Sequence, residues 1–373
     1  MLTKALRQYA QSIQSEGLYR QRQVHDDALQ GINFSSNDYL SLASHPLIKK
    51  AYLRGYKHYP AGSGGSMVVC GYHANHQALE RAFSEALGVD DSVLFTSGYA
   101  ANLSVIGLLR QFDAHILIDK SSHASIYDGL QLAGAQYTRY HHNDIAHLKL
   151  KMRQAPIHQV IMTESIFSMS GQAAPLKAMA KLGQDLLVDE AHAFGVVGAE
   201  GLGGVIQHQL TQANVPLRII PLGKSFAASG AIIAGQSAWI EALLQTARPY
   251  IYSTGISPAA AYGLTETLDV LRGADERRQK LVDLVQYFRH AISNSELTWR
   301  DSSTPIQQLQ LGSPHMALHY AKKLREQSIV CLPMRPPTVS QKETGLRIII
   351  NYHHNESHID KLFNVLHSIT PGT

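Results

Sequence analysis

Cysteine is almost absent. The 373 residues hold two, Cys70 and Cys331, far apart and in no spacing that a disulfide framework, a redox pair or a tetrahedral metal site uses. Both are expected to be reduced and at least partly buried. Long apolar runs are missing too: none reaches the ~18 residues a bilayer-spanning helix needs. The opening MLTKALRQYAQSIQSEGLYR lacks the continuous apolar core and small-residue cleavage site of a secretory leader. It spaces Leu2, Ala5, Leu6, Tyr9 and Ile13 as a helix does, with charges between them. The chain therefore reads as cytoplasmic, with no membrane segment. Excess charge is also lacking: 33 Lys and Arg face 29 Asp and Glu, for a net charge of +4. That surplus is too small to point to nucleic acid, and it suits an anionic substrate or an acidic partner. No internal repeat, low-complexity tract or long linker interrupts the sequence.

What is present is apolar residue, 45% by count, enough for a large buried core and for more than one domain. From about Asp91 onward, short β-rich runs alternate with helical stretches. SVLF, HILID, QYTRY, QVIMTES, DLLVDE, LRIIPL and AIIAG read as strands; 100–111, 125–133 and 145–153 read as helices. Such alternation predicts an α/β fold with a largely parallel sheet covered by helices on both faces. A long helical region follows over 258–294, broken near Gly273. Strand-like IQQLQL, SIVCLP and GLRIIIN and a last helix over 356–369 then suggest a smaller α+β domain. The expected division is an N-terminal segment 1–45, a large domain 46–273 and a small domain 274–373.

Open parallel sheets bind ligands at the carboxyl ends of their strands, and four such ends carry reactive residues. LFTSGYAAN opens a helix at Gly98 and Tyr99, where free backbone N–H groups make a phosphate site. DKSSHAS supplies His123. DLLVDEAH ends a buried strand with Asp189, a carboxylate that must be paired to stay ionised, and places His192 just beyond. IIPLGKSF sets Lys224 after another apolar strand. Each piece alone is weak, since a strand-end Asp is often a cap and a loop lysine is usually solvated. Together, a phosphate cradle, an aromatic stacker, a carboxylate and a lysine on successive strand ends are what pyridoxal phosphate requires.

Two other chemistries fail on the residues. A P-loop needs glycine five residues before Gly223, where Arg218 stands, and should precede an acidic box, whereas Lys224 follows Asp189. The pairs His141–His142 and His353–His354 would diverge in regular structure, and no Cys/His set has metal-site spacing. No metal is expected.

NFSSNDYLSL (33–42), GSGGS (62–66), SGYAAN, SHAS (122–125), TESIFSMSG (163–171), VDEAH and LGKSF stand in the order found in the α-oxoamine synthase family of fold-type I pyridoxal-phosphate enzymes, which the chain resembles almost from end to end. HNDIAHL (142–148), IYSTGISP (251–258) and MRPPTV (334–339) resemble most the biotin-pathway member. That member condenses L-alanine with a pimeloyl thioester, carried on acyl carrier protein or coenzyme A, and releases carbon dioxide and the thiol. The resemblance implies a homodimer with sites at the subunit interface. It implies that Lys224 holds the cofactor covalently and moves the substrate's α-proton, and that Asp189 pairs with the ring nitrogen. His192 would contact the ring hydroxyl with Ser168 beside it, and His123 would stack on the ring. Gly98 and Tyr99 would bind the phosphate, reached from the neighbouring subunit by Thr254. Asn37 and Glu164 would line the site, Arg335 would clamp the amino-acid carboxylate, and Thr338 would touch the acyl substrate. Arg20 or Arg22 would hold the far carboxylate of the acyl chain or a phosphate of its carrier. Lys49, Lys50, Arg54 and Lys57 could meet an acidic carrier protein.

Two departures stand out. Pro221 occupies the position three before the lysine, where the family usually has a phosphate-binding threonine, and predicts looser cofactor binding. Met67 follows GSGGS where relatives often carry a basic or small residue. The competing readings are a relative that uses glycine or serine with another acyl group, and a catalytically silent cofactor-binding subunit. The presence of Lys224 speaks against the second.

Overall fold

A computed structural model describes residues 2–22, 24, 31–156 and 158–369. In chain order its strands are β1 (Ile32–Asn33), β2 (Asp91–Phe95), β3 (His115–Asp119), β4 (Tyr137–Tyr140), β5 (Gln159–Glu164), β6 (Asp185–Asp189), β7 (Leu217–Pro221) and β8 (Ala231–Gly235). β9 (Ile306–Gln310), β10 (Ile329–Val330), β11 (Leu332–Met334) and β12 (Gly345–Ile349) follow. The chain divides into two compact units, one of 38–168 and 173–279, the other of 1–37, 169–172 and 280–373.

The larger unit is built on a seven-stranded sheet of order β2-β8-β7-β6-β5-β3-β4. β8 pairs antiparallel with both its neighbours and the other ladders are parallel, so six strands present their carboxyl ends along one edge. All seven expected strand runs are found. Ile116, Leu117 and Ile118 of β3, Ile161 and Met162 of β5, and Leu186, Leu187 and Val188 of β6 are each fully buried, because helices cover both faces and leave no side of the strand for polar residues. At about 25 cal/mol per Å2 of apolar surface removed from water, this burial is the main force holding the sheet in place. The covering helices start on side-chain caps. Ser97, His123, Asp144 and Ser257 each accept a backbone N–H from the first turn, which satisfies donors a helix start cannot pair internally.

The smaller unit pairs β11-β12-β9 antiparallel and β1 with β10 in parallel. Phe288, Trp299 and Phe363 meet with ring centroids 5.0–5.5 Å apart. The break in the long helical region falls where expected, between the helices Pro258–Arg272 and Asp275–Ser293.

One expectation is corrected. Cys331 is buried but Cys70 is exposed, because it lies on a π-helical turn, Met67–Gly71, whose Val68 and Val69 also face outward. Met67 of the same turn points inward and packs on Gly255. No helix among the described residues is long and apolar enough to cross a membrane.

Candidate active site

β2 runs into Ser97, whose hydroxyl caps the helix Gly98–Gln111 by accepting the Ala100 N–H at 3.1 Å. That bond leaves the amides of Gly98 and Tyr99 without partners among the described residues, at the positive end of a fourteen-residue helix, where an anion is favoured. Gly98 has no room for a side chain, since a Cβ there would lie 2.6 Å from Pro221 Cγ. Pro221 ends β7, so the proline ring buttresses the backbone that would face a phosphate. The Tyr99 ring turns away and its hydroxyl donates to Asp128.

One turn into the same helix, Asn102 is buried. Its Nδ2 donates to Asp189 Oδ2 at 2.9 Å and to Ser125 Oγ at 3.0 Å. Asp189, at the end of β6, also accepts the Ala191 N–H on Oδ1 at 2.9 Å. Burial pushes its carboxyl above the ordinary range, against the pull of these two donors and of nearby His123 and Lys224. A buried carboxylate in that position favours a cation brought against it. His123 Nδ1 lies 2.8 Å from Ser125 Oγ and accepts the Ser125 N–H. Burial, aided by the Lys224 ammonium, holds its pKa below the usual imidazole value, with Asp189 and Asp128 opposing. Lys224 lies in the turn after β7, half-buried, and its charge acts on both Asp189 and His123. The larger unit thus brings Lys224, Asp189 and His123 together.

His192 is buried three residues beyond Asp189, its Nδ1 2.7 Å from the Tyr39 hydroxyl. Glu164 ends β5 in register with Asp189. Burial first, then the Asp189 charge, pushes its carboxyl well above the carboxylate range, and the backbone N–H groups of Ser168 and His123 counter in part. Ser168 donates that N–H at 3.3 Å and is itself buried. Thr254 is exposed and bridges Ser66 of the glycine-rich loop in an antiparallel pair.

Of the other expected residues, Asn37, Arg335, Thr338, Arg20 and Arg22 lie in the smaller unit. Asn37 accepts from Arg347 Nη2 at 2.9 Å. Arg335 donates to the Gly17 and Tyr19 carbonyls, and Arg20 donates to Thr338 Oγ1 at 3.2 Å. Arg335 is pulled below the ordinary arginine range by burial and by the Arg20 charge, so two guanidinium groups converge where an anion would be welcome. Arg22 is exposed. On the helix Pro46–His58, Lys49, Lys50, Arg54 and Lys57 are all exposed, with Arg54 paired to Glu266 at 2.8 Å. Among the described residues no group of three or more His, Cys, Asp or Glu side chains is placed to hold a metal ion.

Sequence reasoning missed Asn102, Ser125, Tyr39 and Arg347. Asn102 was visible in principle, since it stands four residues after Gly98 in SGYAAN and so shares its helix face. Ser125 stands two residues after His123 in SHAS.

The donor set suits pyridoxal phosphate: two free helix-start amides with a glycine that nothing larger can replace, a buried carboxylate wanting a cation, and a lysine within electrostatic reach. The family model for aminotransferase class I and II matches residues 30–366. The chain belongs to that family. It is 39% identical over 95% of its length to the 8-amino-7-oxononanoate synthase of Pseudomonas syringae pv. syringae (strain B728a), covering 93% of that protein. It is equally identical, over 95% of the chain and 92% of the relative, to that of Pseudomonas aeruginosa PAO1. Among solved structures, the 8-amino-7-oxononanoate synthase of Francisella tularensis superposes with a TM-score of 0.82 at 30% identity, over 91% of this chain and 97% of that one. The Sphingomonas wittichii serine palmitoyltransferase gives 0.85 at 25%, over 91% and 86%. The architecture is that of the fold-type I transferases.

Proposed function

We propose that the chain is a pyridoxal-phosphate-dependent acyltransferase of biotin synthesis. It joins L-alanine to a pimeloyl thioester to give 8-amino-7-oxononanoate, carbon dioxide and free thiol. The observation that carries this reading is 39% identity along 95% of the chain to proteins of that name, together with an intact set of Lys224, Asp189, His123 and His192.

The larger unit would hold the cofactor. Gly98 and Tyr99 offer amides to its phosphate, Asp189 a carboxylate to its ring nitrogen, His123 a ring face, and His192, with Ser168 near, a contact to its hydroxyl. Bound there, the cofactor supplies an electron sink for the bond broken at the amino acid's α-carbon. Lys224 takes and returns a proton at Nζ, a role suited to a lysine in a partly desolvated pocket. Glu164, buried beside Asp189 with its carboxyl pushed above the ordinary range, lines the site. Arg335 has the fork geometry to bind a carboxylate, and Arg20, which donates to Thr338 of the loop that carries Arg335, is the better candidate than Arg22 for the acyl chain's far carboxylate. Within the smaller unit, Asn37 is held by Arg347.

Homodimer formation goes with this reading. The first helix, Leu2–Ser15, has no buried residue and leaves Leu2 73%, Leu6 57% and Tyr9 66% exposed, an apolar stripe that a second copy would cover, with Thr254 then reaching the partner's phosphate site. A cytoplasmic location and the division into an N-terminal segment 1–45 and domains 46–273 and 274–373 belong to the same proposal. Sedimentation showing only monomers would remove the dimer.

The test crosses alanine, glycine and serine with pimeloyl and acetyl thioesters, reading thiol release and product mass. Turnover confined to alanine with pimeloyl is expected. Turnover with glycine and acetyl would keep the cofactor and Lys224 but overturn the substrates. Lys224→Ala should abolish turnover and the absorbance of covalently held cofactor while leaving the fold intact.

A further inference from the structure

Asn102 links, through Ser125, the two groups expected at the cofactor ring, Asp189 at its nitrogen and His123 on its face, and its amide fixes the direction of the hydrogen bonds between them. Nδ2 is donor-only. One of its hydrogens goes to Asp189 Oδ2 at 2.9 Å and the other to Ser125 Oγ at 3.0 Å. Ser125 Oγ therefore accepts from Asn102, and its own hydrogen is left for His123 Nδ1 at 2.8 Å. The Ser125 N–H points at the same nitrogen. With Nδ1 taken as an acceptor twice, the ring proton sits on Nε2. Asn102 and Ser125 are buried, so water cannot easily reverse the chain.

We propose that Asn102 is a positioning residue that, through Ser125, holds His123 as the neutral Nε2–H tautomer while it steadies the Asp189 carboxylate. The proposal rests on the reading of Asp189 and His123 as the residues flanking the cofactor ring. The charged and titratable groups that act on His123 are Asp189 after β6, Lys224 after β7 and Asp128 on its own helix, with Glu164 after β5 touching its backbone N–H. Removing the Ser125 hydroxyl leaves these in place, so the histidine in that variant reports the chain alone, whereas Asn102→Ala also strips a donor from Asp189.

The experiment uses 15N-histidine-labelled protein freed of cofactor, the His123 signal being the one lost in His123→Asn. Wild type should show the Nε2–H tautomer and a depressed titration midpoint. Asn102→Ala and Ser125→Ala should both give a tautomer mixture and raise the midpoint, because a donor to Nδ1 favours the neutral ring. Only Asn102→Ala should also weaken cofactor binding, read from fluorescence quenching, since only it strips a donor from Asp189. A tautomer and midpoint unchanged in both variants would overturn the inference. Should Asn102→Ala fail to fold, an unchanged His123 in Ser125→Ala still overturns it and a shifted one upholds it. The underlying reading fails separately: Asp189→Asn with normal cofactor spectrum and turnover would remove it whatever the histidine does.

Discussion

The buried ion pair behind the active-site strand ends gives the sharpest prediction about stability. Arg218 of β7 and Glu190, the residue after Asp189, are 2% and 0% exposed in their side chains, with Nη2 3.1 Å from Oε1. Their environments are unequal. Glu190 also accepts the backbone N–H groups of Gly204 and Val205, each at 2.9 Å. Arg218 has beyond Glu190 only the Leu202 carbonyl, at 2.5 Å, and its Nε and Nη1 find no partner among the described residues. Breaking a buried pair by removing one partner costs about 3–5 kcal/mol, most of it the charge left behind. Arg218→Met leaves a carboxylate that keeps two donors, so its cost should fall near about 3 kcal/mol, at the low end of that range. Glu190→Leu strands a guanidinium with one carbonyl, so it should cost nearer about 5 kcal/mol. The double variant should cost less than the sum, with a coupling of about 1–3 kcal/mol, as expected for residues in direct contact. Urea unfolding followed by circular dichroism at pH 7 measures all three. Single costs below about 1 kcal/mol, or costs that add, would refute the reasoning, because they would mean that desolvation of this pair is not being offset by its partner.

Other perturbations test the two units and the cofactor cradle. His354 stacks on Phe34 at 4.1 Å and accepts the Asn351 N–H, and burial lowers its pKa to about 3. Its folded value is depressed, so the stability it contributes is full above pH 6.5 and is lost as pH falls toward 3; His354→Gln should flatten that acid slope by up to about 1.4 kcal/mol per pH unit, read from urea midpoints between pH 4 and 7. Glu80 is the opposite case, pushed up to about 7 by burial while it accepts from Tyr72 and from the Leu94 N–H of edge strand β2. Its contribution is full below pH 4.5 and is lost as pH rises through 7, so Glu80→Gln should gain stability relative to wild type at pH 8 and not at pH 4, checked by thermal melts at both values. Gly98→Ala would drive a methyl into Pro221 and shift the free amides, and should weaken cofactor binding at least tenfold in a fluorescence titration, about 1.4 kcal/mol. Pro221→Thr should tighten binding by supplying a hydroxyl; equal affinity in the two proteins would count against the looser binding expected of Pro221.

Much of the larger unit was legible because its strands are buried on both faces. A run such as DLLVD has no polar alternation to confuse with anything else, and its length is too short for a helix. The antiparallel β8 was not legible: AIIAG reads the same in either direction, and its pairing with β2 and β7 is set by the chain's path through Lys224, not by its own residues. Cys70 was misjudged because VVC looks like core, yet the π-helical turn that presents it outward is held by three N–H groups, of Val69, Cys70 and Gly71, converging on the Ser66 carbonyl. No local pattern in MVVCG announces that geometry.

The candidate site divides along a similar line. Residues expected to touch cofactor or substrate carry reactive groups, so Lys224, Asp189, His123 and His192, weak singly, could be picked out by their joint order on successive strand ends. Residues that orient them are ordinary amides, hydroxyls and a buried ion pair. Asn102 in a helix opening reads as a capping or solvated residue until the fold brings it within 2.9 Å of a carboxylate 87 positions away. Arg218 shows the same thing from the other side. In sequence it served only to exclude a P-loop, because an arginine stood where a glycine was needed. In the fold it is a buried cation paired with Glu190, the neighbour of Asp189, so one residue that rules out nucleotide binding at that turn also anchors the strand end from which Asp189 would face the cofactor. The sequence lists the chemistry; long-range pairing decides how each group is held, and a substitution at Asn102 or Arg218 probes that second layer without removing a reactive atom.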